Sequence, residues 1–277
     1  MPDDGELPPS DTYFTAQPHS RSQRRRLRFL YRGEVIEVEV DRGVFASAGL
    51  DRGTGLLIES TTVGSSDRVL DIGCGWGAVG IAAAKSAHSG RVVLVDVNRR
   101  AVHLARRNLE RNRIENAEVR MGSLFEPVDG ERFDLIITNP PYRAGRPLIE
   151  RLIREAPAHL DPGGRLVLVG KKSQGIKFYQ DLLESKWPGL VEVLSRGSGY
   201  RVLEARLALP GRRREGSSDS SPSKPVHREM SMLSSGTSRP GGTGPCDLPN
   251  RRTLSLRAIS IDDARGSRSA LRSRRSA

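Results

Sequence analysis

From Asp67 to about residue 210, short apolar runs alternate with stretches of helical spacing. The apolar runs have the length and β-branched composition of buried strands, whereas segments such as RRAVHLARRNLERN carry apolar residues three and four positions apart. Strands that alternate with helices predict a parallel sheet with helices on both faces. The predicted strands lie in DRVLDIG, RVVLVDV, AEVRMG, FDLIITNPPY, RLVLVG, VEVLSRG and YRVLEARLAL.

The last two predicted strands must run in opposite directions. Only Gly197, Ser198 and Gly199 separate them, whereas a parallel connection needs a crossover of a dozen or more residues. The sequence therefore predicts an α/β fold with a Rossmann-like, mainly parallel seven-stranded sheet that ends in a C-terminal antiparallel hairpin. A predicted helix, PLIERLIREAPAHL, precedes the fifth of these strands, and the run Asp161–Gly164 is expected to end it.

The segments on either side of this region differ from it. RLRFLYRGEVIEVEV alternates apolar and polar residues around Arg32-Gly33, which predicts a β-hairpin, and TGLLIESTTV predicts a short helix. The end of the chain has no aromatic residue and is rich in Ser, Gly, Pro and Arg, a composition typical of disorder. We therefore expect four parts: a disordered N-terminus (1–20), a hairpin segment (21–66), the α/β domain (67–210) and a disordered basic tail (211–277).

The charge is concentrated in this tail. The whole chain has a formal net charge of +12, and residues 211–277, with 14 Lys and Arg against 6 Asp and Glu, carry +8 of it. A basic balance suggests an acidic partner, most often nucleic acid. Two interpretations of the tail stay open: a solvated extension, or an arm that adds salt-sensitive affinity for RNA.

Several classes of protein are not supported by the sequence. Cys74 and Cys246 lie in unrelated contexts and imply no disulfide framework, which fits a reducing cytoplasm. The acidic, Pro-rich start is unlike a signal peptide, and no apolar run approaches the roughly 18 residues of a membrane span. The five histidines show no metal-ligand spacing. We expect a cytoplasmic protein without a metal.

A glycine-rich turn follows the first predicted strand of the α/β domain. Glycines in the run Asp71–Gly77, DIGCGWG, let the backbone turn sharply and approach a ligand, and the next helix points its free N–H groups at the same crevice. The second strand ends at Asp96, where a carboxylate can accept both hydroxyls of a ribose.

The same turn also contains GWGAVG at 75–80, which matches the dinucleotide fingerprint of NAD enzymes. The charge of Asp71 opposes that alternative, because it would repel a pyrophosphate but suits the ammonium of an amino-acid ligand. S-adenosylmethionine has a ribose, an adenine and an amino-acid end, and no phosphate. The turn therefore favours S-adenosylmethionine over NAD.

The fourth predicted strand ends in Asn139-Pro140-Pro141-Tyr142. An amine on an aromatic ring or a carbonyl is a poor nucleophile because its lone pair is delocalised. The side-chain oxygen of Asn139 and the carbonyl of Pro140 could accept its two N–H bonds and aim its lone pair at a methyl donor. Tyr142 offers a flat surface on which a base or an amide can stack.

These motifs resemble one known family. VLDIGCGWGAVGIAAAK, VDVN and NPPYRAG are similar to the class I methyltransferase small-domain family, which includes the RsmC-type guanine-N2 methyltransferases of small-subunit ribosomal RNA. The resemblance runs from about Tyr13 to Leu209 and has room for one such domain, as in the single-domain members. It implies that residues 21–66 help to close the cofactor pocket, with Phe45 and Thr54 near the ligand.

The resemblance also implies roles for individual residues. Ser123 stands where family members often have an acid that contacts the adenine amine. The target nitrogen would meet Asn139, Pro140 and Tyr142. The residues expected to bind S-adenosylmethionine are Asp71, Gly73, Gly75, Gly77, Asp96, Asn98, Ser123 and Asn139.

The substrate is less well defined, because Asn-Pro-Pro-Tyr serves guanine N2, adenine N6 and the glutamine of release factors. Release-factor enzymes carry a helical N-terminal domain, and DNA adenine enzymes carry a target-recognition region, neither of which is evident here. Four cations near the predicted active-site edge suit phosphates: Arg143, Arg146, Lys171 and Lys172. We expect a structured RNA, most simply guanine N2 of small-subunit ribosomal RNA. Glutamine or adenine methylation, and an RNA-binding protein without catalysis, are the alternatives.

Overall fold

The computed structural model describes Ala16, residues 21–46 and 49–209, and the backbone of 258–260. Its helices and strands, in chain order, are β1 (Arg25–Tyr31), β2 (Glu34–Val40), α1 (Arg52–Ser60), β3 (Arg68–Ile72), α2 (Ala78–Ser86), β4 (Arg91–Asp96), α3 (Arg99–Arg111), β5 (Ala117–Met121), β6 (Phe133–Thr138), α4 (Arg146–Glu155), β7 (Leu160–Lys171), α5 (Ile176–Lys186), β8 (Gly189–Gly197), β9 (Tyr200–Leu207) and β10 (Ala258–Ser260). Short 3-10 turns follow β5, β6, α4 and β7.

The main sheet has seven strands in the order β5-β4-β3-β6-β7-β9-β8. Strands β3 to β7 are parallel, and β9 is antiparallel to both of its neighbours. The predicted fold class is confirmed. The strand order reverses between β3 and β6, and in open α/β sheets ligands bind outside the carboxyl ends of the strands at such a switch point. Asp71 in β3 and Asn139 just after β6 therefore lie at neighbouring positions.

The predicted hairpin is formed by β1 and β2, which pair from Arg25 with Val40 to Tyr31 with Glu34. On its other edge β1 pairs antiparallel with β10. Those three residues belong to the tail that we expected to be disordered, so the expectation does not hold for them. The rest of that tail, like the predicted disordered N-terminus apart from Ala16, lies outside the described residues.

Helix α4 ends earlier than predicted, and β7 begins earlier. The α-helix stops at Glu155 and continues as a 3-10 turn over Ala156–His159. Pro157 explains this end, because a proline has no N–H for the helical ladder. The Asp161–Gly164 run is part of β7 rather than a separate connection, since β7 already pairs with β6 at Leu160.

Apolar side chains fill both faces of the sheet. One face packs against α2, α3 and the hairpin, and the other against α4 and α5. Asn108 joins these parts on the first face: its side chain accepts from Glu39 N (2.7 Å) and donates to the carbonyl oxygens of Glu39 and Trp76 (2.9 and 2.8 Å). This fully buried amide fixes the hairpin to α3 and to the glycine-rich turn.

Candidate active site

A cavity of about 210 Å³ lies at the carboxyl ends of β3, β4 and β6. Its wall includes Gly73 and Gly75 of the glycine-rich turn and Asp96, Ser123 and Asn139. A second cavity of about 30 Å³ shares Phe45, the two glycines and Asn139 with the first and adds Asp71 and Thr54. The structure therefore gathers most of the predicted cofactor-binding residues, together with Phe45 and Thr54, around two cavities that share part of their walls.

The glycine-rich turn has the backbone that only glycine adopts easily. Gly73, Gly75 and Gly77 have φ values of 71°, 57° and 94°. A Cβ at Gly73 would meet no atom within 4 Å, so its open side faces the cavity. A Cβ at Gly77 would instead lie 3.5 Å from the backbone of Ala105, and Gly77 does not line the cavities. It therefore brings α3 close to the turn, and its predicted contact with the cofactor remains a prediction.

Asp71 is a buried carboxylate with an unpartnered oxygen. The side chain is 2% exposed, it accepts a hydrogen bond from the Gly80 backbone at the start of α2, and its Oδ2 has no hydrogen-bond partner in the described part of the chain. Burial, helped by the nearby charge of Asp96, raises the pKa of Asp71 to about 8. Because Asp71 lines the smaller cavity, a cationic group placed there would satisfy this oxygen.

Asp96 is held by the backbone of the glycine-rich turn and by that of the residue before α3. Its Oδ2 accepts from Gly75 N and its Oδ1 from Asn98 N, each at 2.8 Å. Burial raises the pKa of Asp96 to about 6, although these hydrogen bonds favour the ionised form. The backbone N–H of Val97 also bonds to this carboxylate, which has four acceptor positions in total and therefore keeps acceptor capacity toward the cavity that it lines. This arrangement suits a vicinal diol such as that of a ribose.

Asn98 does not line the cavity. Its Oδ1 accepts from Arg100 N and Ala101 N and caps the start of α3, while its Nδ2 donates to the carbonyl oxygen of Gly43 at 2.8 Å. The side chain is fully buried. Its place is therefore behind the site, where it holds the loop that carries Phe45, and its predicted contact with the cofactor remains a prediction.

Asn139 has a fixed orientation. Its Nδ2 donates to Thr54 Oγ1 at 3.0 Å and to Asp51 Oδ2 at 3.4 Å. Its Oδ1 is then left as an acceptor in the wall that both cavities share. Thr54 is buried, so few other partners compete for the amide. The structure thus gives the predicted catalytic residue the polarity that an amine substrate requires.

Sequence reasoning missed Asp51 and Tyr200. Asp51 caps α1 by accepting from Gly53 N and Thr54 N at 2.9 and 3.2 Å. Tyr200 at the start of β9 donates to Asp51 Oδ1 at 3.4 Å. An aspartate directly before a short helical stretch is a capping signal, which could have identified Asp51 as a cap but not as a neighbour of Asn139.

The Pro-Pro turn is an inverse γ-turn centred on Pro141, with φ −76° and ψ 77°. Tyr142 N donates to the carbonyl oxygen of Pro140 at 2.9 Å. That carbonyl keeps one lone pair for another donor. Pro141 lines the larger cavity, whereas Pro140 is buried and does not.

Tyr142 is also absent from the wall of both cavities. Its hydroxyl donates to Val169 O at 2.9 Å, and its ring lies 5.7 Å from that of Tyr179. Burial raises the pKa of Tyr142 well above its ordinary value. Gly170 leaves the space for this hydroxyl, since a Cβ there would approach it to 2.2 Å. These contacts make Tyr142 a support for the turn, and its predicted stacking on the target stays a prediction.

The four predicted phosphate-binding cations are exposed at the carboxyl edge of β6 and β7. Arg143 lies in the turn after β6, and Arg146 begins α4. The Arg146 guanidinium lies 4.6 Å from the centre of the Phe178 ring, and Lys171 Nζ lies 5.7 Å from that of Tyr200. Each of these two cations therefore covers an aromatic ring next to the site.

Other chemistry is not supported among the described residues. They contain no group of three or more His, Cys, Asp or Glu side chains that could hold a metal ion. No helix in the described part of the chain is long and apolar enough to cross a membrane. Cys74 is buried, and burial together with Asp96 and Asp71 raises the pKa of its thiol, so it is a poor nucleophile.

The sheet topology, the cavity at its switch point and the glycine-rich turn together define a class I methyltransferase. Residues 35–204 match the family model described as methyltransferase small domain, so the chain belongs to that family and is an S-adenosylmethionine-dependent methyltransferase. The resemblance seen in the sequence is confirmed, and so is S-adenosylmethionine over NAD as the cofactor.

Several relatives are similar to this chain. The Bacillus subtilis (strain 168) protein YbxB is 32% identical over 199 residues, which cover 71% of this chain and 98% of that protein. Ribosomal RNA small subunit methyltransferase C from Serratia proteamaculans (strain 568) is 35% identical over 182 residues, or 64% of this chain and 51% of the relative. Its counterpart from Escherichia coli (strain SMS-3-5) is 36% identical over 179 residues, with 63% and 50% covered.

Among solved structures, the T. thermophilus 16S rRNA N2 methyltransferase RsmC, in complex with AdoMet and guanosine, is similar with a TM-score of 0.60 and 28% identity. The match covers 69% of this chain and 52% of that structure. The chain thus spans about half the length of the methyltransferase C relatives and nearly the whole of YbxB.

Proposed function

We propose that this chain methylates an exocyclic amine of a base in RNA, and specifically guanine N2 of small-subunit ribosomal RNA. The observation that carries the proposal is the fixed amide of Asn139, which lines both cavities and whose oxygen is left as an acceptor because Thr54 and Asp51 hold its nitrogen. The names of the relatives support the substrate, since two are small-subunit ribosomal RNA methyltransferases and a third was determined with guanosine.

The residues of the cavity fit S-adenosylmethionine. Asp71 would hold the ammonium with its unpartnered oxygen, and Asp96 would accept the ribose hydroxyls with its remaining lone pairs. Ser123, in the wall of the larger cavity, would lie near the adenine. When bound, the cofactor supplies a methyl group on a positively charged sulfur.

The chemistry then depends on how the amine is held. Asn139 Oδ1 accepts one amine N–H, and the free lone pair of the Pro140 carbonyl accepts the other. Two acceptors draw the nitrogen toward tetrahedral geometry and direct its lone pair at the methyl donor. The proton becomes more acidic as the amine gains the methyl group, so it can leave to water and the site needs no strong base.

The surface around the cavity suits RNA. The edge beside the turn bears the exposed cations Arg143, Arg146, Lys171 and Lys172, which can contact phosphates. The cavity itself is small and partly apolar, so a target base must leave its helix to bring its amine to Asn139. We place this activity in the cytoplasm, where ribosomal subunits are assembled.

The test uses purified protein, radiolabelled S-adenosylmethionine, and four acceptors: small ribosomal subunits and naked ribosomal RNA from a strain that lacks this gene, DNA, and release factor. Nucleoside and peptide analysis then locates the label. We expect N2-methylguanosine in ribosomal RNA. Label as N6-methyladenosine, in DNA or in release factor would overturn the proposed substrate.

The Asn139→Ala variant is the control for mechanism. It should still bind S-adenosylmethionine by calorimetry, because the carboxylates of Asp71 and Asp96 remain, and it should transfer no methyl group. Wild-type protein that binds RNA and cofactor but labels no acceptor would contradict the proposal and favour an RNA-binding protein without catalysis.

A further inference from the structure

We propose that Phe178 and Arg146 form a stacking surface for an unpaired nucleotide next to the target base; this inference rests on the proposed function. Phe178 is a large aromatic residue in the first turn of α5, and 37% of its surface is exposed. Arg146 is exposed too, and its guanidinium lies 4.6 Å from the centre of the ring. Such an exposed cation–π pair adds only about 0.5–1 kcal/mol of stability, so folding alone does not explain it.

A chain of three aromatic rings runs from Phe178 of this pair to Tyr142 in the active-site turn. The Phe178 ring packs edge-on against Tyr179 at 5.2 Å, and Tyr179 lies 5.7 Å from Tyr142. Tyr179 is buried, and the Tyr142 hydroxyl is fixed on Val169. The Phe178 ring is therefore supported by two fixed tyrosine rings, and one of these, Tyr142, belongs to the Asn139–Tyr142 motif.

The charge around the pair suits a polyanion. Lys171 and Lys172 end β7 just before α5, and Arg143 precedes α4 by three residues. Three described carboxylates oppose them: Glu150 acts on Tyr179 from α4, Asp181 forms an ion pair with Lys177 on α5, and Asp51 accepts from Tyr200, on whose ring Lys171 lies. Since Lys177 and Asp181 offset each other, the cations at the end of β7 and around the start of α4 outnumber Glu150 and Asp51.

A nucleobase is the ligand that matches a flat ring, a planar guanidinium and nearby cations. Bases stack on aromatic rings and on arginine planes, which contributes about 1–3 kcal/mol per base, while their phosphates pair with lysine and arginine. A base that leaves its helix disrupts its neighbours, so an unpaired nucleotide is available beside the target. A peptide acceptor carries no phosphates to pair with these cations.

The test compares Phe178→Ala with Leu190→Ala. Leu190 is a suitable control because it is an exposed large apolar residue, 57% exposed, near the start of β8 at the opposite edge of the sheet. We measure kcat, the KM for RNA, and the affinity for S-adenosylmethionine. Loss of one stacked base should raise the KM for RNA by about 5- to 150-fold in Phe178→Ala, with kcat and cofactor affinity unchanged. Leu190→Ala should match the wild type.

Two further measurements separate stacking from charge. Arg146→Lys keeps the charge but loses the plane, so it should also raise the KM. Phe178→Ala should leave the salt dependence of RNA affinity unchanged, whereas Lys172→Ala should lower the slope of log K against log salt by about 1. In RNA with 2-aminopurine beside the target, the wild type should quench the fluorescence and Phe178→Ala should not.

The outcomes also separate this inference from the proposed function. If the wild type methylates RNA and Phe178→Ala has the KM and the quenching of the wild type, the stacking surface is refuted and the proposed function stands. If the wild type labels release factor or DNA instead of RNA, the proposed function fails and the stacking surface fails with it.

Discussion

The substitution Asp71→Asn should make the ligand-free protein more stable and the bound complex weaker. The pKa of Asp71 is about 8 in the fold, against about 3.9 for an aspartate in an unfolded chain. An acid whose pKa is higher in the folded than in the unfolded protein contributes its full stability below the unfolded pKa. This contribution is lost as the pH rises through the folded pKa. Between pH 4 and 8 the buried carboxyl therefore destabilises the protein progressively, by on the order of 4 kcal/mol at pH 7.

Asparagine removes this cost without changing the shape of the side chain. Its oxygen can still accept from the Gly80 backbone, and its Nδ2 takes the place of the unpartnered oxygen. The buried, unpaired Nδ2 costs about 1–3 kcal/mol, which leaves a net gain of about 1–3 kcal/mol at pH 7. The melting temperature should rise by roughly 2–12 °C at pH 7, and toward pH 4 this gain should turn into a loss, because the cost of the unpaired Nδ2 is no longer offset.

Cofactor binding should change in the opposite direction. A charge-assisted hydrogen bond contributes about 1.5–3 kcal/mol, so Asp71→Asn should bind S-adenosylmethionine roughly 10- to 150-fold more weakly by calorimetry. Methylthioadenosine, which has the same ribose and adenine but no ammonium, should bind both proteins equally. Asp134→Asn is the control, because that carboxylate accepts from Arg68 N at the far ends of β3 and β6 and should not affect binding.

Two results would refute this reasoning. Equal affinity of Asp71→Asn and the wild type for S-adenosylmethionine would show that the carboxylate does not hold the ammonium. A melting temperature that does not rise, or whose change does not depend on pH, would show that Asp71 carries no raised pKa in the ligand-free protein.

Three further predictions concern residues in the cavity wall and behind it. Thr54→Val removes an acceptor of the Asn139 amide and should lower kcat about tenfold, equivalent to about 1.4 kcal/mol. Thr54→Ser keeps the hydroxyl and should restore kcat. A weaker cofactor affinity at unchanged kcat would contradict this role. Gly80→Ala should cost about 1–3 kcal/mol in urea unfolding, because its Cβ would lie 2.3 Å from the buried side chain of Leu94. Asn98→Ala should cost about 0.5–2 kcal/mol through the lost cap of α3, and a thermal scan that shows no loss would argue against this role.

Local patterns were sufficient to predict the elements of this fold. Apolar runs of strand length, a Gly turn after Arg32 and the short link at Gly197–Gly199 depend only on neighbouring residues, and all of them are confirmed. The ends of elements were harder to predict. Pro157 shortens α4, and β7 extends back to Leu160, because pairing with β6 there outweighs the turn-forming composition of Asp161–Gly164.

The contacts within the site join residues that are far apart in the sequence. Asp51 and Asn139 are 88 residues apart, and Asp51 and Tyr200 are 149 apart, so no local pattern could pair them. Asn98 shows a different difficulty. A polar residue between a strand and a helix can cap the helix or reach into the crevice, and only the packing of the Gly43 loop decides that it caps.

The segment before residue 67 is therefore part of the active site rather than an addition to the α/β domain. It supplies Phe45 to the cavity wall and the two groups, Asp51 and Thr54, that set the orientation of Asn139. In the other direction, Asn98 of the α/β domain donates a hydrogen bond to the carbonyl oxygen of Gly43 in that segment. The hairpin segment and the α/β domain therefore fix each other. Asn139 Oδ1, the acceptor that methyl transfer requires, is oriented only when the hairpin segment is folded against the sheet.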